Sequence, residues 1–481
     1  MTITITGHSL SLDAVVRVAR DAERVALDEA ALEAMRRTRA IVEDVLASGV
    51  PAYGLTTAVG VLKRVALSGS EADAYARRMI RHHRVAQGPP APPDVVRATM
   101  LLQLNAFAGG LPGVRPLVAE RLVDALNRDE APPVRSLGSV GQADLAQLAE
   151  LASAVYEGVD LAAGEGLALI TGNAFASAWA ALAIADLEVL IETLDVAASL
   201  SLEGLGANLS VLHPVVEATR PHPGLAVSLS ILRRLLAGSA AWEPGSSRNL
   251  QDPLSFRNVA QLHGAARDAL AHGRSVLDVE LNASQGNPVV LADEGAVVSV
   301  ANFEIAGLAA ALDYQRIVLA VVLGAAAERV VKLLETPWSG LPTGLAASGD
   351  PDDAGLAYLG IAVQAVAAEA RLLAAPVSFE LVSTAHAEGI EDRTTMAPLA
   401  ARRTSEMVAL GRRVAALELA VAAQAAELRS AERLGRGTAA ALRAVRRTTP
   451  YVGAGDVVPD VEPLVDAVGR GEFDPEALLG E

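Results

Sequence analysis

Apolar residues recur every three or four positions through most of the chain, as at Leu32, Met35, Ala40, Val42 and Leu46, a spacing that gives a helix one continuous apolar face. Almost the whole sequence therefore reads as helix. The exception is the start, where Thr2 to Thr6 alternates threonine and isoleucine and stops at Gly7-His8, which predicts one short strand. Ser11 then stands where its side chain can cap a helix beginning at Leu12, since a serine oxygen accepts from the first free N–H groups. Breaks rich in proline and glycine fall at Gly49 to Pro51, Gly88 to Pro93, Ala131 to Pro133, Arg220 to Gly224, Glu335 to Pro337 and Ser348 to Pro351. Between them run four long apolar patterns, Gly166 to Leu212, Leu254 to Leu281, Phe303 to Leu334 and Asp352 to Leu373, and these predict a central helical bundle. From Leu399 to Arg446, Ala and Leu alternate with Arg and Glu, predicting a more solvated helical pair. Two sections are expected, residues 1–200 as a mostly helical N-terminal region and residues 201–481 as the long-helix bundle with a helical C-terminal region.

Composition sharpens this picture. Of the 481 residues 51% are apolar but only 3% aromatic, so the core must be made of Ala, Leu and Val, the residues of closely packed helices. The formal charge of −17 opposes a nucleic-acid polyanion. There are no cysteines, which removes disulfides, thiolate nucleophiles and Cys-ligated metals; His or carboxylate metal sites stay open on that ground, but no residues single one out, and none is expected. Gly166 to Ala185 carries no charge and is long enough to span a bilayer, but its Thr171, Asn173 and Ser177 and the absence of flanking Lys or Arg mark it as a buried bundle helix, with no membrane partner. The first residues show no basic stretch followed by an apolar one, so a cytoplasmic location is expected.

Polar, glycine-flanked islands interrupt the apolar helices, and function concentrates in such places. Tyr53 opens the loop Tyr53-Gly-Leu-Thr-Thr-Ala-Val-Gly60. A tyrosine there can act as a general base if its pKa is lowered from about 10; equally, it can be a loop residue packed for area. Of His82 and His83 at most one serves a site, because neighbours on a helix face different ways, and a surface or capping role explains either. Arg257, in Leu250-Gln-Asp-Pro-Leu-Ser-Phe-Arg257, can clamp a carboxylate bidentately or form a structural ion pair. Gly138-Ser-Val-Gly141, Ala301-Asn-Phe303 and Gly389-Ile-Glu-Asp392 complete the set.

Taken in order, the islands resemble the histidine, phenylalanine and tyrosine ammonia-lyases. The family's Tyr-Gly-x-Asn-Thr-Gly-x-Gly loop is similar to Tyr53 to Gly60, and its Ser-His-Ala-Ala-Gly-x-Gly segment to the stretch from His82 to Gly88. The likeness continues through Leu104 to Arg115, Glu165-Gly-Leu-Ala-Leu, Arg220-Pro-His-Pro-Gly224, Gln251-Asp-Pro-x-Ser-x-Arg257, Asn287-Pro288, Asn302-Phe303, Glu391-Asp392 and Met396-Ala-Pro398, and covers roughly residues 10 to 450. The Gly-Ser-Ser-x-Met-Pro-x-Lys-x-Asn signature of the sister fumarase and aspartase group is absent. The resemblance implies an all-α, L-aspartase-like fold, a homotetramer whose sites draw on three chains, and a small-molecule substrate. It also implies that Tyr53 and Glu391 are catalytic and that His83, Gln251, Arg257, Asn302, Phe303, Thr171 and Leu254 line the substrate site.

The departures carry as much information. Family members contain Gly-Ser-Val-Gly-Ala-Ser-Gly-Asp-Leu, whose Ala-Ser-Gly cyclises to the electrophile methylidene imidazolone (MIO). Here the loop reads Gly138-Ser-Val-Gly-Gln-Ala-Asp144-Leu145, with Gln142 and Ala143 where three residues would stand. Neither the serine that eliminates water nor the glycine whose nitrogen closes the ring is present, and Ser139 is followed by β-branched Val140, a poor fit for so tight a turn. The family's MIO-supporting Asn corresponds to Thr171 and its second catalytic Tyr to Leu254. No cofactor is therefore expected. The surviving residues suit proton abstraction beside an already acidifying group, followed by elimination, isomerisation, conjugate addition or cyclisation of a small specialised-metabolism intermediate. An ordinary amino-acid ammonia-lyase, an inactive paralogue and a small-molecule binding protein are the competing readings.

Overall fold

The computed structural model describes residues 2–67, 69–348, 350, 352–379, 389–429 and 433–480. The expected first helix runs Leu12–Arg20, with Ser11 Oγ accepting from Ala14 N at 3.2 Å. The expected strand is β1, Thr2–Ile5. It pairs in parallel with β2, Arg24–Leu27, in the register Thr2↔Arg24 to Ile5↔Leu27, and the intervening helix supplies the crossover that parallel strands need. Two antiparallel pairs join β3, Gln87–Pro90, to β4, Arg135–Leu137, and β5, Val289–Leu291, to β6, Ala296–Val298. Patterning anticipates none of β2 to β6. They are short, and β3 lies inside a Gly-Pro-Pro run that reads as a break, because proline has no N–H to give a sheet.

The contacts divide the described chain into two compact units, residues 1–185 with 273–312 and 376–402, and residues 186–272 with 313–375 and 403–481. A single cut near residue 200 does not reproduce this division. The boundaries fall inside the helices Ala174–Leu205, Val259–Glu280, Ala306–Leu334 and Ala397–Leu428, which carry no composition change to betray them. The expected break at Ser348 to Pro351 includes Gly349 and Pro351, which lie outside the described residues.

In the first unit, the Glu29–Ser48 helix is capped by Asp28, whose carboxylate accepts from Ala30 N, and it ends at left-handed Gly49. Its buried stripe is Ala31, Met35, Thr38 and Val42. Burying a side chain such as Met35 stabilises by about 1.5–3 kcal/mol. Arg115 and Glu165 form a bidentate pair, Nε to Oε1 at 2.8 Å and Nη2 to Oε2 at 2.7 Å, with Ala162 N also donating to Oε2. Both residues belong to segments that match the lyases, and here they fasten scaffold rather than touch the cavity described below.

In the second unit, Arg329 and Glu418 are wholly buried and bidentate, at 2.5 and 2.9 Å, and Ser201 Oγ also donates to Glu418 at 2.7 Å. A side chain at Gly411 would meet Leu190 Cδ2 at 2.5 Å, so glycine there permits close helix approach. The sequence between Leu399 and Arg446 does form two helices, Ala397–Leu428 and Arg436–Arg446, but the first is not solvated. Every residue from Val414 to Ala426 is buried, and Glu418, which reads as a solvent-facing charge, is neutralised by Arg329. The apolar stretch ending at Leu205 is the one helical run among the described residues long and apolar enough to cross a membrane, and 78% of its most apolar window is buried in the protein.

Candidate active site

A cavity of about 480 Å³ opens in the first unit and gathers Tyr53, His83, Gln142, Thr171, Phe303 and Glu391, with Ala143 beside them. That volume suits a small organic molecule. Residues far apart in sequence thus converge, while four expected site residues do not line this cavity. Asn302 turns its amide to Ser284 O at 3.1 Å. Gln251, Leu254 and Arg257 belong to the second unit, where Leu254 is 64% exposed.

Tyr53 stands on a loop held shut by its own threonine: Thr56 Oγ1 accepts from Ala52 N at 2.8 Å and donates to Val50 O at 2.9 Å. The Tyr53 oxygen accepts from Gly60 N at 3.2 Å. Burial pushes its pKa up, the Gly60 hydrogen bond opposes this, and the Glu391 carboxylate adds to the rise. The ligand-free hydroxyl therefore keeps its proton at neutral pH, and a base role requires a positive charge nearby to favour the phenolate. His83 ends the Gly69–His83 helix, and its Nδ1–H donates to Met79 O at 2.8 Å. In the neutral ring that bond fixes the tautomer and leaves Nε2 as an acceptor.

The segment from Ser139 to Asp144 is bound on every side. Ser139 Oγ donates to Asp144 Oδ1 at 2.9 Å and accepts from Gly141 N at 3.0 Å. The Gly141 carbonyl accepts from Asn173 Nδ2 at 3.1 Å and Thr395 Oγ1 at 2.9 Å, and the Val140 carbonyl from the backbone of Thr395 and Met396. Gly141 has φ +84°, and a Cβ there would lie 2.1 Å from Thr395 Oγ1, so only glycine fits. Asp144 is fully buried; its Oδ2 accepts from Ala176 N at 2.8 Å, in the first turn of the Ala174–Leu205 helix. Burial pushes its carboxyl up to about 6 against the opposing hydrogen bonds. Thr171 Oγ1 donates back to Leu167 O at 3.0 Å. These residues do not fit an MIO group. No serine or glycine stands between Gly141 and Asp144, the Ser139 hydroxyl is engaged with Asp144, and the neighbouring carbonyls already accept hydrogen bonds.

Sequence reasoning missed Glu304, Arg393 and Asn287, which also line the cavity. Glu304 Oε2 accepts from Gln142 Nε2 at 2.7 Å, and the two residues form an isolated antiparallel bridge. Asn287 Oδ1 accepts from Val300 N at 2.8 Å. A carboxylate directly after Asn302-Phe303 was the available signal, but nothing local ties it to Gln142.

A long-helix, all-α scaffold whose loops bring a tyrosine, a histidine and carboxylates to one cavity defines an L-aspartase-like lyase. A family model described as aromatic amino acid lyase matches residues 10–158 and 151–447. A histidine ammonia-lyase from Symbiobacterium thermophilum is 36% identical over 493 residues, covering 97% of this chain and 96% of the relative. One from Treponema denticola is 33% identical over 470 residues, with 92% of each covered. Among solved structures, ergothionase, an ergothioneine-degrading enzyme from Treponema denticola in complex with desmethyl-ergothioneine sulfonic acid, aligns over 100% of both chains at 27% identity and a TM-score of 0.91. Tyrosine aminomutase from Streptomyces globisporus aligns over 99% of this chain and 98% of that one at 26% identity and a TM-score of 0.93. The chain belongs to the aromatic amino acid lyase family.

Proposed function

We propose that this lyase works without MIO, abstracting a proton beside an acidifying group of a small amino-acid-like molecule and eliminating an amine. The observation that carries this reading is the segment from Gly138 to Asp144, which lacks the residues of ring formation and whose Gln142 is committed to Glu304. In the elimination the Tyr53 phenolate takes the proton, the C–H electron pair becomes the new π bond, and the C–N pair leaves with the amine; Glu391 then receives the proton from Tyr53. Isomerisation and cyclisation are variants of the same first step. With no electrophile to activate it, the amine must already be a good leaving group. The ergothioneine-degrading neighbour makes ergothioneine the first substrate to test.

The active form is proposed to be a homotetramer in the cytoplasm. Tyr314, Ile317 and Val321 form one exposed stripe on the Ala306–Leu334 helix, and Tyr358, Ile361 and Leu372, at and along the Leu359–Leu372 helix, are 69–77% exposed. Apolar stripes of this kind are covered by other subunits. Arg257 has no ion pair among the described residues, in keeping with a guanidinium that serves a substrate carboxylate in another subunit's site. The histidine ammonia-lyase relatives favour a second reading, ordinary deamination of histidine.

Intact mass and turnover decide between them. The unmodified sequence mass, no ammonia from histidine, phenylalanine or tyrosine, and amine release from ergothioneine or a similar substrate are expected; a mass deficit of two waters within residues 138–144 sinks the proposal. Tyr53→Phe should lower that turnover by about 10²- to 10⁴-fold.

A further inference from the structure

Glu304 lines the cavity and is held there without a bonded cation. Its two oxygens are met by neutral donors, Gln142 Nε2 at 2.7 Å and Ala306 N at 3.0 Å. No Lys, Arg or His pairs with it among the described residues, whereas Glu165, Glu418 and Asp195 all face cations. The two bonds fix both oxygens of a side chain that otherwise has several rotamers, and neither oxygen is bonded to a cation, although Arg393 lines the same cavity. Phe303 and Tyr53 line that cavity as well. A carboxylate free of a bonded cation, in a cavity lined by aromatic rings, is an arrangement that attracts an organic cation, through charge and through the ring faces. A divalent metal needs more: calcium takes six to eight oxygen ligands, and no group of three metal-ligating side chains occurs among the described residues.

Resting on the cofactor-free reading for its link to chemistry, we infer that Glu304, oriented by Gln142, is the subsite for the cationic amine of the substrate. Gln142 stands in the loop where related lyases carry their electrophile, so the amine meets a fixed negative charge at a place where it would otherwise meet a reactive ring. Quaternary and protonated amines both satisfy the site. A cation held there also offsets the burial that keeps Tyr53 protonated, which couples substrate binding to formation of the base.

The test uses the full-length protein and tetramethylammonium chloride as probe, with binding followed by saturation-transfer NMR or calorimetry and sodium chloride at equal ionic strength as the blank. The wild-type protein should bind saturably. Glu304→Gln, which keeps shape and hydrogen-bonding capacity, should raise the Kd at least 10-fold. Glu304→Asp should retain more binding than Glu304→Gln, and Gln142→Ala should weaken it by about 3-fold, the size expected when an orienting hydrogen bond is lost. Circular dichroism confirms that each variant is folded. Equal affinity in the wild type and Glu304→Gln, or no saturable binding by the wild type, overturns the assignment. Because the probe undergoes no reaction, a two-water mass deficit accompanied by Glu304-dependent binding would support the subsite while removing the cofactor-free mechanism.

Discussion

Asp144, beside the cavity, and Asp195, inside the helical second unit, are both fully buried, yet their carboxyl groups are displaced in opposite directions. Burial pushes Asp144 up to about 6, because the groups around it, Ser139 Oγ and backbone N–H, are neutral. Burial would also raise Asp195, but His263 Nδ1 at 2.7 Å and the Arg267 guanidinium outweigh it and hold the carboxyl below its ordinary value. The second unit compensates this buried charge with cations, as Arg329 and Glu418 do again, although its buried Glu203 accepts only from neutral donors such as Gly435 N and is raised by burial. Beside the cavity, buried Asp144 has neutral donors alone. Uncompensated charge costs stability, and it is kept where a ligand can make use of it.

The comparison can be broken most forcefully at Asp195. Asp195→Asn removes the buried counter-charge of the partly buried Arg267 and the acceptor of buried His263, and should cost about 3 kcal/mol, read by urea unfolding at pH 7. A loss below about 1 kcal/mol, the size of a surface pair, would mean that the pairing carries little. The wild-type contribution of this group is present above the ordinary carboxylate range and is lost as pH falls through the depressed folded value.

The slope should reverse at Asp144. Between the ordinary carboxylate range and about 6, the folded chain holds a proton that the unfolded chain has released, so stability falls as pH rises through that window. The fall amounts to roughly 3 kcal/mol, about two pKa units at about 1.4 kcal/mol each. Asp144→Asn should abolish it, so that variant minus wild-type stability grows by that amount between pH 4 and pH 7. A difference that stays flat with pH would place water or a cation against Asp144. The smallest effect is expected from Ser139→Ala, which removes a hydrogen bond worth about 1 kcal/mol and moves the Asp144 titration to higher pH.

Much of the scaffold is legible because its causes are local. Ser11 caps its helix, the Thr-Ile alternation makes β1, and the long apolar patterns become the long helices. The Ala397–Leu428 helix reads as solvated in sequence because a charge cancelled by a distant partner looks the same there as one facing water; Arg329 lies 89 residues from Glu418. The site divides in the same way. Tyr53, His83, Thr171, Phe303 and Glu391 stand out through motif spacing. The pairing of Gln142 with Glu304, 162 residues apart, has no local signature, and neither does the anchoring of Gly141 by Thr395.

That last contact has a consequence for biosynthesis. The first unit is complete only once residues 376–402 have joined residues 1–185, and Thr395 reaches Gly141 across 254 residues. At about 5–20 residues per second, a ribosome needs about 10 s or more to add the intervening chain. Through that interval the Val140 carbonyl lacks its donors from Thr395 and Met396, and the Gly141 carbonyl lacks the one from Thr395. Loop closure over such a span is slow, so newly made chains are a natural client for a chaperone until Thr395 leaves the exit tunnel.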